Sequence, residues 1–486
     1  GLLLAKHGHF TWGDTAKESY DRVIDHTNRV DAWLQKYRSQ PTVQVKRPEA
    51  STVQVFLQSL RGALSNCSGD AATSFIFDLI QTDDTLRFFA RDDVASLAKS
   101  GVATPDHVIR MKAHPLLLEI DDIRKNTAEL AKCIETYAEN YQAYFERCAK
   151  SGHTAKKMLS PLPKLIWAKG VGLIGVGATA KEARVITDLA QQNIRVMSDG
   201  VDAGGFHPVQ EQDLFDLEYW SLEQAKLGKS SPSKMQGQVV IVTGGAGVIG
   251  KATAREFCAA GAEIMLVDKN ADLLEAARSE VGPAVAILAL DVTQPDAPER
   301  IMEAATMRFG GVDILISNAG AAHQSSVELL SQKSLRERFE LNFFAHFSLA
   351  QAAYKMFRTQ GIGGQVLFNV SKQAVNPGKN FGAYGLPKAS LFFLVKQMAL
   401  EFGSDGVRVN GINADRIRSG LLDDALIAER ATARGVDEVT YLAGNLLHKE
   451  VEAHHVAEAF LALAMSKRTT GYVMTVDGGN IEASLR

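Results

Sequence analysis

Four polar residues in the second half of the chain have the types and spacing that alcohol chemistry requires: Asn342, Ser371, Tyr384 and Lys388. Tyr384 and Lys388 are four residues apart, which places them on one face of a helix. Tyrosine is a poor base at neutral pH, but a neighbouring ammonium group favours the phenolate and lowers its pKa. The pattern predicts Tyr384 as the general acid/base, with Lys388 tuning it. Ser371 would orient the substrate oxygen, and Asn342 would support a proton relay to solvent.

A glycine-rich turn upstream predicts the partner for this chemistry. A β-branched apolar run ends at Thr243, the pattern Gly245-x-Gly247-x-x-Gly250 follows, and a second apolar run ends in Asp268. Strand, glycine turn, helix, strand and acid are typical of a dinucleotide-binding βαβ unit. The glycines let the backbone approach a pyrophosphate at a helix N-terminus. Asp268 would accept the ribose hydroxyls and repel a 2′-phosphate, so the sequence predicts NAD rather than NADP.

Further candidate contacts follow apolar strands, where open parallel sheets bind their ligands. The predicted cofactor-binding residues, besides Tyr384 and Lys388, are Gly245, Gly247, Val248, Ile249, Gly250, Asp268, Asp291, Val292, Asn318, Ala319, Gly320, Ala414 and Ile417. Asp291 is expected to accept from the adenine amino group, and Asn318-Ala-Gly320 to form a tight turn beside the ribose. The predicted substrate contacts are Ser371, Gln373 and Arg416.

These residues need a scaffold, and the chain predicts an α/β one. Strand and helix patterns alternate over 238–486, which requires a doubly wound parallel sheet covered on both faces. A smaller mixed α/β part precedes it, divided into 1–40 and 51–226 by a polar segment at 38–50. Residues 227–237 are rich in Ser, Lys, Pro and Gly and predict the main linker. Within 51–226 we expect strands near Gln54–Leu57 and at Lys164–Ala168.

Residues 238–486 resemble the short-chain dehydrogenase/reductase family. Its pattern is a glycine-rich turn, an Asn-Ala-Gly turn, and then Asn, Ser and Tyr-x-x-x-Lys, all of which occur here in order. The resemblance implies a Rossmann fold and hydride transfer between an alcohol and a carbonyl. Two positions depart from the family: Val248 stands where glycine is common, and Ala414-Asp415 replaces the usual Pro-Gly. Arg416 and Arg418 in that loop would bind a carboxylate or phosphate, or form a solvated pair capping the next helix.

Residues 2–15 are similar to the C-terminal part of a class II aldolase, where a His-Gly after an apolar strand carries the last of three zinc ligands. His7 matches that histidine. A catalytic zinc site needs three protein ligands, so His7 alone is incomplete and zinc is expected only if upstream ligands are present. The whole order resembles bifunctional rhamnulose-1-phosphate aldolase/short-chain dehydrogenases. In that family a deoxyketose phosphate is split into dihydroxyacetone phosphate and lactaldehyde, and the dehydrogenase processes the aldehyde.

One internal similarity lies outside these motifs. Residues 8–18 align without gaps onto residues 172–182, and each stretch ends in Thr-Ala-Lys-Glu before a helical pattern. Two interpretations remain open, a true duplication or two similar strand–turn–helix corners. His7 falls opposite Val171 in this alignment, so a second copy would have lost its ligand.

Composition narrows the remaining classes. The chain has 486 residues, 46% hydrophobic and 22% charged, as in soluble globular proteins of several domains. A net charge of −3 gives no case for nucleic acid or membrane partners. Four cysteines without a CxxC pair, and no signal peptide, predict a cytoplasmic protein. We expect a small-molecule substrate and a homo-oligomer, a dimer or tetramer. The rival hypotheses are a mainly metal-dependent aldolase and a non-catalytic NAD-binding module.

Overall fold

The computed structural model describes residues 1–5, 7–38, 47–69, 73–150, 156–228 and 231–480. Most of the polar segment at 38–50, and two residues of the 227–237 linker, lie outside these ranges. The chain forms two compact units. The first unit comprises Gly1–Val53 and Phe77–Ser231, and the second comprises Gln54–Ile76 and Pro232–Arg486. No described helix combines the length and apolar character that crossing a membrane requires.

The first half of the chain contributes a hairpin and a mixed sheet. Its strands are β1 (Leu2–Leu4), β2 (Gly8–Phe10), β3 (Ile76–Ile80), β4 (Leu116–Leu118), β5 (Leu165–Ala168) and β6 (Gly172–Gly177). Strands β1 and β2 pair antiparallel, and the larger sheet has the order β3-β6-β5-β4. Strand β5 runs parallel to β4 and antiparallel to β6. The predicted strand at Lys164–Ala168 is thereby confirmed.

Helices cover this mixed sheet. The helices of this part of the chain are α1 (Ala16–Leu34), α2 (Ala50–Cys67), α3 (Asp83–Phe89), α4 (Val94–Leu97), α5 (Pro105–Met111), α6 (Thr127–Ala149), α7 (Ala180–Asp202), α8 (Glu211–Glu218) and α9 (Ser221–Ala225). The core of the first unit centres on Trp167, whose ring meets the edges of Phe88 and Phe89. Aromatic pairs of this kind add to the free energy gained from burial alone.

The two aligned stretches form the same local structure. Thr15 caps α1 by accepting from the Glu18 backbone N–H, and Thr179 caps α7 by accepting from Glu182. Each glutamate side chain in turn accepts the backbone N–H of the residue before its cap, Asp14 in one case and Ala178 in the other. The shared Thr-Ala-Lys-Glu is therefore explained by helix initiation at two similar corners, without requiring a duplication.

The predicted strand near Gln54–Leu57 is wrong, because these residues lie within helix α2. Its buried apolar side chains recur at helical spacing: Val53, Phe56, Leu57, Leu60 and Leu64. A four-residue window contains a cluster of these apolar residues but not the 3.6-residue period that identifies the helix.

From Gln54 onward, helix α2 belongs to the second unit rather than to the unit that surrounds it in sequence. Arg61 is fully buried and pairs with Asp313, with Nη2 to Oδ2 at 2.6 Å. It also donates to the Gly237 carbonyl at 3.0 Å. Gly62 allows the close contact, since a Cβ there would lie 1.7 Å from the Gln360 carbonyl oxygen. This buried ion pair holds α2 against the amino-terminal ends of two strands of the large sheet described next, which begin just after Gly237 and Asp313.

The second unit is built on a seven-stranded sheet. Its strands are β7 (Val239–Thr243), β8 (Glu263–Asp268), β9 (Ala286–Ala289), β10 (Ile314–Ser317), β11 (Gly364–Asn369), β12 (Val407–Ala414) and β13 (Val473–Val476). They lie in the order β13-β12-β11-β10-β7-β8-β9, and every neighbouring pair is parallel. This order confirms the predicted doubly wound α/β fold. The strand order reverses at β7 and β10, where such sheets bind ligands.

Helices connect these strands. They are α10 (Val248–Ala259), α11 (Ala271–Val281), α12 (Ala297–Phe309), α13 (Gln332–Phe339), α14 (Ala345–Gln360), α15 (Gly382–Phe402), α16 (Asp424–Thr432), α17 (Glu438–Leu442) and α18 (Ala453–Met465). A π-helical turn, Glu340–Phe344, joins α13 to α14. All residues of β7 and β10 are buried, so the apolar runs read from the sequence form the centre of the sheet.

Candidate active site

The glycine turn between β7 and α10 has little room for side chains. Gly244 has a φ of +64°, and a Cβ on Gly250 would lie 2.3 Å from the Gly244 carbonyl oxygen. Gly247 is the N-cap of α10, and no side chain of the described residues caps this helix. The first N–H groups of α10 are thus without a side-chain acceptor, which suits a pyrophosphate. Val248, the departure from the family pattern, is the first helical residue and points into solvent with 45% of its surface exposed.

Asp268 lies beside this turn, at the end of β8. Its Oδ2 accepts from the Ala246 N–H at 3.2 Å, and its Oδ1 accepts from Asn270 at 3.2 Å. The carboxylate lies next to the glycine turn and is partly exposed, and a contact with a ribose requires both. On the neighbouring strand, Asp291 accepts from both Thr293 N and Thr293 Oγ1, and the backbone bond holds its pKa below the usual value. Val292 is buried beside it.

The Asn-Ala-Gly turn ties three strand ends together. The Asn318 side chain donates to the Thr243 carbonyl at 3.0 Å, and its Oδ1 accepts from Asn369 at 2.8 Å. The Asn318 and Ala319 N–H groups both donate to the Thr243 hydroxyl. These bonds fix the ends of β7, β10 and β11 relative to one another. Asn369 was not predicted as a site residue, although its position at the end of a strand two residues before Ser371 is the signal that would have identified it.

Tyr384, Lys388 and Ser371 come together at the same edge of the sheet. Tyr384 and Lys388 lie on α15, and the Lys388 Nζ is 5.8 Å from the centre of the Tyr384 ring. Lys388 is buried and donates to the Asn369 carbonyl at 2.7 Å. Ser371 hydrogen-bonds the Tyr384 hydroxyl. Its backbone φ of +153° is unusual for a residue other than glycine, and strain of this type concentrates at functional sites.

Burial shifts the pKa values of both titrating groups. It lowers the pKa of Lys388 to about 7, because a buried ammonium group loses its hydration. Burial also raises the pKa of Tyr384 to about 12, and the hydrogen bond to Ser371 acts in the opposite direction. The protein alone thus holds Tyr384 as a neutral phenol. The lowering of the Tyr384 pKa that the sequence predicts is therefore not found in the protein alone.

Asn342 lies in the π-helical turn and is fully buried. Its Nδ2 donates to the Ala321 carbonyl at 3.0 Å, and its Oδ1 accepts from the Ala321 N–H at 3.2 Å. Gly320 provides the space between the two sides of the site, since a Cβ there would lie 3.0 Å from Asn342 Oδ1 and 3.9 Å from Lys388 Nζ. Asn342 is thus held close to the lysine. Single π turns are frequent at functional sites because they shift the side chains that follow.

The departure at Ala414-Asp415 has a structural explanation. Asp415 is buried, and its carboxylate pairs with Lys372 at 2.8 Å and accepts from Asn480 at 2.6 Å. It therefore binds the loop after β12 to the segments that follow β11 and β13. The Arg416 guanidinium donates to the Tyr441 carbonyl at 2.7 Å and lies over the Tyr441 ring. Arg418 pairs with Glu450 and Asp424 at the surface, which agrees with the solvated interpretation for that residue.

A cavity of about 610 Å³ opens in front of Tyr384. Its walls include the predicted Ile249, Gln373, Ala414 and Ile417, together with Arg416. The Gln373 carboxamide accepts from the Gly378 N–H at 2.7 Å and so shapes the loop below the cavity.

Four basic residues that line the cavity were not predicted: Lys372, which pairs with Asp415, and Lys379, Arg430 and Arg434. Arg430 lies on helix α16 over the Phe381 ring, and Arg434 follows this helix over the Tyr441 ring. No motif marks them in the sequence.

The histidines near the start of the chain do not form a metal site in the described residues. His7 is exposed in the turn between β1 and β2, whereas His9 Nε2 contacts His26 Nδ1 at 3.0 Å. Throughout the described ranges, no three His, Cys, Asp or Glu side chains converge as a metal would require. These residues do not fit zinc, and no step of the chemistry below involves a metal.

Comparisons with known proteins agree with this architecture. Residues 51–227 match the family model "Aldolase class II, second domain", and residues 238–428 match "short chain dehydrogenase". The uncharacterized oxidoreductase YuxG of Bacillus subtilis is 30% identical over 98% of this chain and 72% of its own length. The 4-formylbenzenesulfonate dehydrogenase of Comamonas testosteroni is 32% identical over 50% of this chain and 97% of its own. L-sorbose reductase from Gluconobacter frateurii, solved with NADPH and L-sorbose, is 28% identical over 51% of this chain and 98% of its own, with a TM-score of 0.47.

The parallel sheet with its glycine turn and the Ser–Tyr–Lys cluster define the second unit as a short-chain dehydrogenase/reductase. A class II aldolase domain precedes it in the same chain. The chain belongs to the family of fused class II aldolase/short-chain dehydrogenase proteins, of which the Bacillus subtilis oxidoreductase is a relative over nearly the whole of this chain.

Proposed function

We propose that the second unit is an NAD-dependent dehydrogenase that interconverts a small alcohol with its aldehyde or ketone. The observation that carries this proposal is that Tyr384 and Ser371 line one cavity, with Lys388 buried one helical turn after Tyr384, at the same sheet edge as the glycine turn and Asp268. A rival, non-catalytic NAD-binding role would need none of the first three residues in this arrangement.

The bound cofactor would accept or donate the hydride, and this chain's residues would manage the proton. Ser371 would hold the substrate oxygen next to the Tyr384 hydroxyl, to which it is already hydrogen-bonded. In oxidation, Tyr384 as phenolate takes the hydroxyl proton, and in reduction it returns one. Lys388 in its ammonium form favours the phenolate and binds the ribose. Asn342, next to Gly320 and held by Ala321, would support the relay of the proton to solvent.

The choice of NAD rests on Asp268. Its partly exposed carboxylate lies 3.2 Å from the Ala246 N–H of the glycine turn, where an adenosine ribose would lie. A 2′-phosphate at this point would meet a negative charge. Among the residues that the structure describes near this carboxylate, no arginine pairs with it.

We infer a small hydroxylated aldehyde such as lactaldehyde as the substrate, produced when an aldolase splits a deoxyketose phosphate such as rhamnulose 1-phosphate. The support is the resemblance of the whole chain to bifunctional aldolase/dehydrogenases and the aldolase-family match of residues 51–227. We also propose a cytoplasmic homo-oligomer; a cytoplasmic location is in keeping with the absence of a disulfide bond among the cysteines that the structure describes.

The test is a panel of short aldehydes, hydroxy-ketones and sugar alcohols, assayed with NAD and NADP in parallel. We expect turnover with NAD and a loss of about 10²- to 10⁴-fold in kcat for Tyr384→Phe. Tyr354→Phe is the matched control, since that exposed hydroxyl bonds only Asp405 among the described residues. If Tyr384→Phe turned over at the wild-type rate, the proposal would fail; undiminished NAD binding in that case would favour the binding-module hypothesis.

A further inference from the structure

The first unit contains a second large cavity that the proposed dehydrogenase chemistry does not use. Its volume is about 800 Å³, within the range of small-molecule sites. Pro115 and the strand Leu116–Leu118 form an apolar wall. Opposite this wall the lining carries Lys112, three tyrosines of helix α6 (Tyr137, Tyr141 and Tyr144) and Glu218 of helix α8.

Lys112 is a buried amine that forms no direct ion pair among the residues that the structure describes. Only 5% of its surface is exposed, and its backbone φ of +67° turns the chain sharply at the end of α5. Its Nζ donates to the Ser160 carbonyl at 2.5 Å and lies 3.5 Å from the centre of the Tyr141 ring. No carboxylate of the described residues lies within 4.0 Å of it. The amine therefore faces the cavity with a neutral oxygen and an aromatic ring as its nearest partners.

Glu218 provides a buried carboxyl group across the same cavity. It is 2% exposed and accepts from the hydroxyls of Tyr141 at 2.7 Å and Tyr144 at 3.2 Å. Burial raises its pKa, although both tyrosine bonds and the charge of Lys112 oppose that shift. A carboxyl group whose pKa burial raises holds its proton more readily than an exposed glutamate does.

Burial also lowers the pKa of Lys112 to about 7. The charged groups that face it are Glu218 on α8, which raises the value, and Lys164 before β5, which lowers it further. The side chains facing it from α6 are the phenols Tyr137 and Tyr141, whose own pKa values burial raises, so they stay neutral. Near pH 7 a large fraction of Lys112 is thus the free amine, which is nucleophilic.

We propose that this cavity binds a small aldehyde or ketone and that Lys112 captures it reversibly as an imine. The Nζ lone pair adds to the carbonyl carbon, and the carbonyl oxygen takes a proton from the Glu218 carboxyl group. The nitrogen then loses a proton to the Glu218 carboxylate. The carbon–oxygen bond breaks with a second proton delivered by Glu218, releasing water, and the second nitrogen proton returns to that carboxylate. The balance is amine plus carbonyl to imine plus water, with no oxidant or reductant.

An orphaned polar atom indicates the kind of carbonyl compound. His114 lines the cavity, and its buried Nδ1 has no hydrogen-bond partner among the described residues. Burial lowers its pKa, so the ring is neutral and this nitrogen can accept from a ligand hydroxyl. The short apolar wall next to it leaves space for a carbon chain. The fitting class is a short hydroxy-ketone or hydroxy-aldehyde.

The experiment is reductive trapping in the full chain. The protein is incubated with hydroxyacetone and cyanoborohydride at about pH 7.5, and the modified lysines are located by peptide mass spectrometry. We expect Lys112 to be modified at least about tenfold faster than Lys99, because an exposed lysine is almost entirely protonated at this pH. Lys99 is the matched internal control, since it is an exposed lysine on the same cavity wall. Modification of Lys112 no faster than that of Lys99 overturns the proposal.

Two variants separate the chemistry from simple exposure. Lys112→Met should remove the fast phase of labelling. The comparison of Lys112 with Lys99 is made within the wild-type protein and therefore does not depend on the folding of this variant. Glu218→Gln should slow trapping at Lys112 about tenfold, since the amide cannot deliver protons. Acylation of Lys112 by acetic anhydride should be unchanged or faster in Glu218→Gln, because loss of the carboxylate favours the free amine. Equal trapping in wild type and Glu218→Gln would contradict the role of this residue.

Discussion

Two lysines, one in each unit, occupy closely similar surroundings. Lys388 donates to the Asn369 carbonyl at 2.7 Å and Lys112 to the Ser160 carbonyl at 2.5 Å, and each lies near a tyrosine ring. Burial lowers the pKa of each to about 7. The surroundings differ in one respect: Lys112 faces the carboxyl group of Glu218, whereas no acid contributes to the pKa shift of Lys388.

This difference decides what each amine can do. Lys388 lies one helical turn after Tyr384 and is useful as a cation, since its charge assists loss of the tyrosine proton. Lys112 is useful as the neutral amine, and the nearby carboxyl group supplies the protons that carbonyl addition and loss of water require. Burial is thus the main cause of the lowered lysine pKa in both units. The presence of the Glu218 carboxyl group beside one lysine and not the other sets the chemistry.

The largest effect on activity should come from replacing each of the two lysines in turn by methionine. Lys388→Met is expected to reduce the dehydrogenase kcat/KM about 10²- to 10⁴-fold, because Tyr384 loses its neighbouring charge. Lys112→Met should leave kcat/KM unchanged and abolish rapid trapping at that position. The measurement is initial rate against substrate concentration for both variants. Equal losses of kcat/KM in the two variants would remove the distinction between the lysines.

A third buried cation sharpens the comparison because it is paired. Arg61 is fully buried against Asp313 at 2.6 Å. Arg61→Met should destabilise the second unit by about 3 to 5 kcal/mol, since it leaves the Asp313 charge buried alone. Arg300→Met is the control: its exposed pair with Asp296 is worth at most about 1 kcal/mol. Urea titration measures the free energy of unfolding of both variants, and the transition of the second unit is identified as the one that added NAD shifts. A wild-type unfolding midpoint for Arg61→Met would refute the prediction.

The choice between NAD and NADP should depend on the Asp268 carboxylate, which lies beside the glycine turn of the second unit. Asp268→Asn removes the negative charge next to the glycine turn and should improve NADP relative to NAD by about 10- to 100-fold, or about 1.4 to 2.7 kcal/mol. The exposed Asp272 on helix α11 is the control position. Ratios of kcat/KM for the two cofactors provide the measurement. Hydroxyacetone trapping at Lys112 should be the same in both variants, and an altered trapping rate would indicate that the cavities are not independent.

The smallest effect concerns stability against pH. A lysine whose folded pKa is about 7 binds fewer protons folded than unfolded above that pH, so its burial cost diminishes as pH rises. Lys112 should therefore add about 1 kcal/mol to the stability of the first unit between pH 6 and pH 8. Lys112→Met should flatten this part of the profile, and Lys99→Met should not. Parallel slopes for wild type and Lys112→Met would show that Lys112 does not titrate in this range.

The dehydrogenase site was more accessible to sequence reasoning than the rest of the molecule. Its groups follow strand ends at characteristic spacings, so Tyr384, Lys388 and Asp268 could be placed at one sheet edge before any coordinates. Lys112 and Glu218 carry no such signal, because they are far apart in sequence and come near each other through the packing of α5 and α8. The basic residues of α16 were missed for the same reason. Helix α2 was misread because too short a window was used.

The boundary of the second unit has a consequence for how this chain is built. Arg61 of α2 donates to the Phe75 carbonyl, and Ser74 accepts from Gln238 at 2.9 Å, so the second unit's chain leaves and re-enters at neighbouring points. Residues 77–231 thus lie in sequence between the two parts of the second unit, while Gly1–Val53 of the first unit precede both. If the protein were cut at the 227–237 linker, the C-terminal fragment would lack α2. Asp313 would then be buried without its partner Arg61. A short bridge from residue 76 to residue 232 would keep them together, as insertions with adjacent ends allow.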